Sequence, residues 1–137
     1  MARWLFKSEP GCYSFADLRR EGKTLWDGIT NALARKHLRE VKSGDQILFY
    51  HTGDEKAVVG VMTATSGPQP DPNGDDDKAV VVAVKPIRAL EHPVTLARIR
   101  SESLLGDLAL VRNSRLSVMP VTEAQWQRIE QLAREAE

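Results

Sequence analysis

Apolar residues along the chain change rhythm twice. Arg3 to Lys7 is a short run built on Trp4, Leu5 and Phe6, which predicts a strand ended by Pro10-Gly11. Phe15 and Leu18 then stand at helical spacing, with Ser14 and Asp17 in capping-box positions and Gly22 as the stop. Ala34, Leu38 and Val41 recur at helical spacing with basic residues between them, predicting a second helix from Asn31 to Val41 before Gly44. The middle of the chain turns to β patterning. Gln46 to His51 is a strand, Thr52 to Lys56 a turn, and the Val-rich runs Ala57 to Thr65 and Ala79 to Leu90 fit buried strands better than helices. Thr95 to Ser103, after Pro93, predicts a short helix, and Arg115 to Val121 a last strand. Thr122 caps a closing helix carried by Trp126, Ile129 and Ala133.

Strands outnumber helices and do not alternate with them regularly, which argues against a doubly wound parallel sheet. The expected class is α+β: a twisted, barrel-like mixed sheet surrounded by short helices. No internal repeat or boundary divides the sequence, so residues 1–137 read as one domain. The segment 66–78, rich in Pro, Gly and Asp, predicts a surface loop.

Composition narrows the class further. A chain of 137 residues with 42 % hydrophobic and 28 % charged residues is ordinary for a globular domain, and excludes a disordered tail, a collagen-like chain and a disulfide scaffold. Cys12 is the only cysteine; it excludes an internal bridge, fits a reducing, cytoplasmic setting, and reads as a buried or half-buried thiol. No run approaches the roughly 18 apolar residues of a membrane span, so no membrane partner is expected. Basic and acidic residues balance at 19 each, yet residues 1–50 carry nine basic and six acidic side chains, while 51–110 carry six and nine. Arg35, Lys36, Arg39 and Lys42 crowd one helical segment. That face reads either as a solvated helix surface or as a place to neutralise phosphates.

The sequence is quiet about catalysis. His37, His51 and His92 show no metal-ligand spacing, and there is no phosphate-binding loop, dinucleotide fingerprint or nucleophile elbow. No metal or cofactor is expected. What stands out is polar residues at strand ends beside aromatics: Lys7-Ser8-Glu9-Pro10, Trp26-Asp27-Gly28 with Asn31, Tyr50-His51, and Asn113 to Ser117. A flat, polar, aromatic ligand needs such a setting, since stacking a base on an aromatic ring is worth roughly 1–3 kcal/mol and edge hydrogen bonds select the base. Taken alone, Trp26 reads equally as a core tryptophan, and alternation along its strand points Tyr50 inward.

Several of these words, in this order, resemble the EVE domain family: WLFKSEP at 4–10, YSFADL at 13–18, LWDGITN at 25–31, GDQILFYHTG at 44–53, VGV at 59–61 and SRLSVMPVT at 114–122. The family is similar to the wider PUA-like group, which also holds the YTH readers of methylated adenine. The resemblance implies a barrel-like sheet and a pocket for one modified or flipped base, such as 5-methylcytosine in DNA or a modified RNA base, without a catalytic step. It makes Trp26 the stacking platform, Lys7, Ser8 and Glu9 a wall with Pro10 fixing the turn, and Asp27 and Gly28 the rim. Gly28 would let backbone approach closely. Asn31 becomes a reader of the base edge, Tyr50 and His51 another side, and Ser114, Arg115, Leu116 and Ser117 the last. Phosphate falls to Arg35, Lys36 and Arg39. The implied partner is DNA or RNA carrying a modified base, with room for an associated nuclease or modifying enzyme.

The chain departs from the family pattern in places. Ile29-Thr30-Asn31 stands where the family has Val-Arg-Asn, removing a charged contact. Asn113 replaces a glycine, a position where tolerance of left-handed backbone would preserve the turn. The loop 67–78 is short and carries Asp71, Asp75, Asp76 and Asp77, which repel phosphate. Two other readings stay open: a small-molecule or protein-interaction module on the same fold, and an enzyme acting on a modified nucleotide through Glu9, Asp27 or His51.

Overall fold

The computed structural model describes residues 2–72 and 78–135; Asp75, Asp76 and Asp77 of the acidic loop lie outside them. The strands are β1 (Arg3–Ser8), β2 (Thr24–Trp26), β3 (Gln46–His51), β4 (Ala57–Ala64), β5 (Gln69–Pro70), β6 (Val80–Thr95) and β7 (Val118–Pro120). The helices are α1 (Phe15–Glu21), α2 (Ala32–Glu40), α3 (Leu96–Arg100), α4 (Ala109–Arg112) and α5 (Glu123–Arg134), with a 3-10 turn at Ser103–Leu105. The main sheet runs β2-β6-β4-β3-β1-β7, with β5 attached to β6. β1 and β3 pair in parallel, from Arg3 opposite Gln46 to Ser8 opposite His51, and the other pairs are antiparallel.

Register breaks between Phe49 and Tyr50, Val58 and Gly60, and Val61 and Met62 curl this sheet. Each extra residue increases local twist and bends its strand. The result is a mixed half-barrel, as the periodicity predicted. α1, α2 and α5 pack on β6, and α2 also packs on β7. Consecutive residues in the central strands are therefore buried on both faces: Trp4, Leu5 and Phe6 in β1, and Ile47 through His51 in β3.

Local chemistry starts the helices. Ser14 Oγ accepts from the Asp17 amide at 3.0 Å and Asp17 Oδ2 accepts from the Ser14 amide at 2.9 Å, completing the capping box. Thr122 and Gln125 build a second box on α5. Gly22, at φ +81, ends α1 in the left-handed conformation that side chains resist.

The structure corrects several boundaries. β6 continues to Thr95, five residues past its expected end, because it pairs with β4 as far as Ala57 opposite Thr95. The helix expected from Thr95 to Ser103 stops at Arg100, where the Ser101 amide closes its last turn, and α4 follows where no helix was expected. The last strand shrinks to three residues, since β1 offers it only Trp4, Leu5 and Phe6 as partners. Asn113 has φ −135, so its turn does not use left-handed backbone. Cys12 is exposed rather than buried, because it sits on the turn between β1 and α1.

Candidate functional site

Two short segments from near opposite ends of the strand order face one another across the half-barrel. The first follows β1: the Glu9 carbonyl accepts the amides of Cys12 and Tyr13 at 2.9 and 2.8 Å, and Ser8 Oγ donates to the Tyr13 carbonyl. The second is β2 and the turn after it, where Gly28 holds φ +74. A Cβ at Gly28 would meet no other protein atom within 4 Å, so within the protein what it supplies is the left-handed turn. Between the segments lies a cleft of about 440 Å³, lined by Lys7, Ser8, Glu9, Cys12, Tyr13, Thr24, Leu25, Trp26, Asp27, Gly28 and Ile29. Small-molecule sites commonly have this size.

Trp26 lines the cleft but is only 6 % exposed. Its ring packs 5.4 Å from Phe6 and, edge-on at 88°, 5.4 Å from Phe49. Both readings of this residue meet in one position: it is a core tryptophan with a rim in the cleft. Asp27 beside it is exposed, and no other described residue takes up its carboxylate. Glu9 is engaged: Oε1 accepts from the Gly11 amide and Oε2 from the Thr52 hydroxyl, at 3.3 and 3.2 Å. The Tyr13 hydroxyl donates to Glu21 at 2.8 Å, and burial followed by that carboxylate holds its phenol above the ordinary range.

Lys7 forms the divide between this cleft and a second, of about 210 Å³, lined on the other side by Tyr50, Thr52, Gly53, Lys56, Leu96, Arg100, Leu110 and Ser114. Lys7 Nζ donates to the Ser114 carbonyl at 3.0 Å and lies 6.0 Å from the centre of the Tyr50 ring. Burial pulls its ammonium below the usual lysine value. Burial raises the Tyr50 phenol, against a smaller opposing effect of the Arg100 charge.

The residues singled out in the sequence thus divide. Lys7, Ser8, Glu9, Trp26, Asp27 and Gly28 share the first cleft, while Tyr50 and Ser114 join Lys7 in the second. Asn31 lines neither; its Oδ1 accepts the Ala34 amide at 2.9 Å and caps α2. His51 is buried, with Nε2 on the Phe15 amide at 3.0 Å and Nδ1 2.7 Å from Glu55. Pro10 belongs to the turn, Leu116 to the core, and the Ser117 carbonyl accepts the Lys7 amide at 2.9 Å. Arg115 is exposed away from both linings. On α2, Arg35 Nε donates to the Ile29 carbonyl at 2.6 Å, Arg39 to the Lys78 carbonyl at 2.8 Å, and Lys36 is exposed. Cys12, Tyr13, Thr24, Leu25 and Ile29 were not singled out, although each lies within a few residues of a strand end that was. Lys56 and Arg100 carried no local signal at all.

A curled mixed half-barrel with short helices around it is the PUA-like fold. The chain belongs to the EVE domain family, whose model matches residues 2–132. Human thymocyte nuclear protein 1 is 28 % identical over 91 % of this chain and 71 % of its own length. An NMR structure from Rhodopseudomonas palustris superposes with TM-score 0.93 at 35 % identity, covering 100 % of this chain and 96 % of that one. The crystal structure of human THYN1 protein in complex with 5-methylcytosine-containing DNA superposes with TM-score 0.91 at 27 % identity, covering all of both chains. The YTH domain of Zygosaccharomyces rouxii MRB1 protein, in complex with N6-methyladenosine RNA, shares the fold at TM-score 0.62 and 15 % identity, covering 99 % of this chain and 88 % of that one.

Proposed function

We propose that this chain is a non-catalytic nucleic-acid-binding module that admits one modified, flipped nucleobase of DNA or RNA into the cleft between Ser8–Tyr13 and Thr24–Ile29. The observation that carries the reading is the pairing, in that cleft, of an aromatic rim at Trp26 with the uncommitted carboxylate of Asp27. Extruding a base costs a few kcal/mol, which stacking and edge hydrogen bonds must return. Asp27 accepts from an exocyclic amine, the group that cytosine and adenine both present. Leu25 and Ile29 offer apolar surface to an added methyl, and Lys7 supplies the charge for the strand. The complex of human THYN1 protein with 5-methylcytosine-containing DNA supports this ligand class.

The test is fluorescence-detected binding of short DNA and RNA strands, each plain or carrying one 5-methylcytosine or N6-methyladenine. One modified strand is expected to bind about tenfold tighter than its plain counterpart, a difference of about 1.4 kcal/mol. Asp27→Asn is expected to weaken binding of the modified and the plain strand alike while remaining folded, because both present the exocyclic amine. Equal binding of every modified and plain strand by the folded protein would overturn the reading.

A further inference from the structure

Most arginines of this protein near a carboxylate are tied to it: Arg98 to Glu135, Arg112 to Asp107, Arg128 to Glu102. The second cleft is different. Arg100 ends α3 and Lys56 ends the turn before β4, and neither side chain has a hydrogen bond or ion pair with another described residue. Lys56 holds φ +46, a backbone angle unusual for a residue with a side chain. Among the described residues no carboxylate lines this cleft, and that of Glu9 stands behind it on the Thr52 hydroxyl. Glu9 is engaged with Thr52 and Gly11, and Glu55 with His51. Tyr50 lines the same cleft, and its hydroxyl has no hydrogen-bond partner among the described residues. Lys7, Lys56 and Arg100 outnumber the one carboxylate bonded to a lining residue, Glu9 on Thr52, and beside the Tyr50 hydroxyl they form a site for an anion.

The shared wall identifies which anion. Lys7 lines both clefts, so a group in the second is joined through one side chain to a base in the first. The cations of α2 are less suited, since Arg35 and Arg39 are turned onto the carbonyls of Ile29 and Lys78. We infer that the second cleft, through Lys56, Arg100 and the edge of Lys7, seats a phosphate group of the same ligand whose base enters the first. This rests on the base-binding reading for the identity of the ligand. Strand and free nucleotide share the chemistry, and the experiment separates them.

Arg100→Gln and Lys56→Gln are compared with the parent, and with Arg19→Gln on exposed α1 as a control, for binding of the preferred strand across a salt series. Circular dichroism checks that each is folded. Each cleft variant is expected to bind several-fold more weakly at low salt, with the slope of log affinity against log salt reduced by about one. The ratio of modified to plain strand stays unchanged. A nucleoside is then compared with its 5′-monophosphate and with the strand: tighter binding that starts at the monophosphate marks a free nucleotide as sufficient, and tighter binding confined to the strand marks a phosphodiester. Parental affinity and slope in both cleft variants would overturn the inference. The two readings fail separately. If modified and plain strands bind alike, the slope measured on the plain strand still tests the phosphate cleft; if the base preference persists with unchanged slopes, the cleft alone is wrong.

Discussion

Nε2 of His51 accepts the amide hydrogen of Phe15 at 3.0 Å, tying the first turn of α1 to the end of β3. Accepting there puts the ring proton on Nδ1, which faces Glu55 at 2.7 Å. The turn carrying Cys12 and Tyr13 is held between this bond and β1, so a buried histidine positions one wall of the cleft from behind. His51→Ala leaves the Phe15 amide buried without an acceptor, at a cost of roughly 1–3 kcal/mol. Urea denaturation is expected to show that loss, with partial recovery in His51→Gln, which keeps an acceptor. Undiminished stability in the alanine variant would remove His51 from this role.

The ring of Phe15 occupies the space that a side chain at Gly60 would need. A Cβ there would come within 2.6 Å of both Cε atoms. Phe15 also packs 5.3 Å from Phe49, so it has little room to yield. Gly60→Ala is therefore expected to destabilise the protein by about 1–3 kcal/mol through overpacking. It also displaces α1, and ligand affinity falls with stability. Wild-type values of both, measured together, would contradict this close approach.

Trp26 separates packing from recognition. Its ring fills the space between Phe6 and Phe49, so Trp26→Ala is expected to cost about 3–5 kcal/mol, as other large core truncations do. Loss of binding in that variant would say little about stacking. Trp26→Phe keeps an aromatic in the core and shortens the rim, and is expected to stay folded while binding modified and plain strands more weakly. A folded phenylalanine variant with full affinity would exclude a stacking contribution from the indole.

Lys7 gives a pH signature. Burial places its folded-state value below 10.5, so between that lowered value and 10.5 the unfolded chain binds more protons and stability rises with pH. The cost of burying the ammonium is fully present below the folded value and gone above 10.5. Lys7→Met is expected to lack this alkaline rise in denaturation experiments. Strand binding by the parent should weaken through the same window as the cation discharges. A Lys7 titration at or above 10.5, followed by NMR, would refute both.

The sequence by itself determined the features that close within a few residues. Ser14 with Asp17, and Thr122 with the turn it opens, are capping arrangements that local hydrogen bonds complete, and the Val-rich runs fit buried strands better than helices. The family words at 4–10 and 25–31 marked six residues of the first cleft, because each word spans one strand end and its turn. What only the tertiary structure decided depends on partners far along the chain. The length of β6 follows from β4, and the parallel register of β1 on β3 brings Lys7 beside Tyr50. Asn31 and His51 carry polar groups suited to a ligand, yet the fold commits them to Ala34 and Phe15. Lys56 and Arg100 reach one cleft only because β4 pairs with the end of β6 and sets α3 beside the turn before it. Local chemistry acts over one turn of chain, whereas which side chains share a cleft is set by pairings tens of residues apart, and no short word in the sequence encodes those.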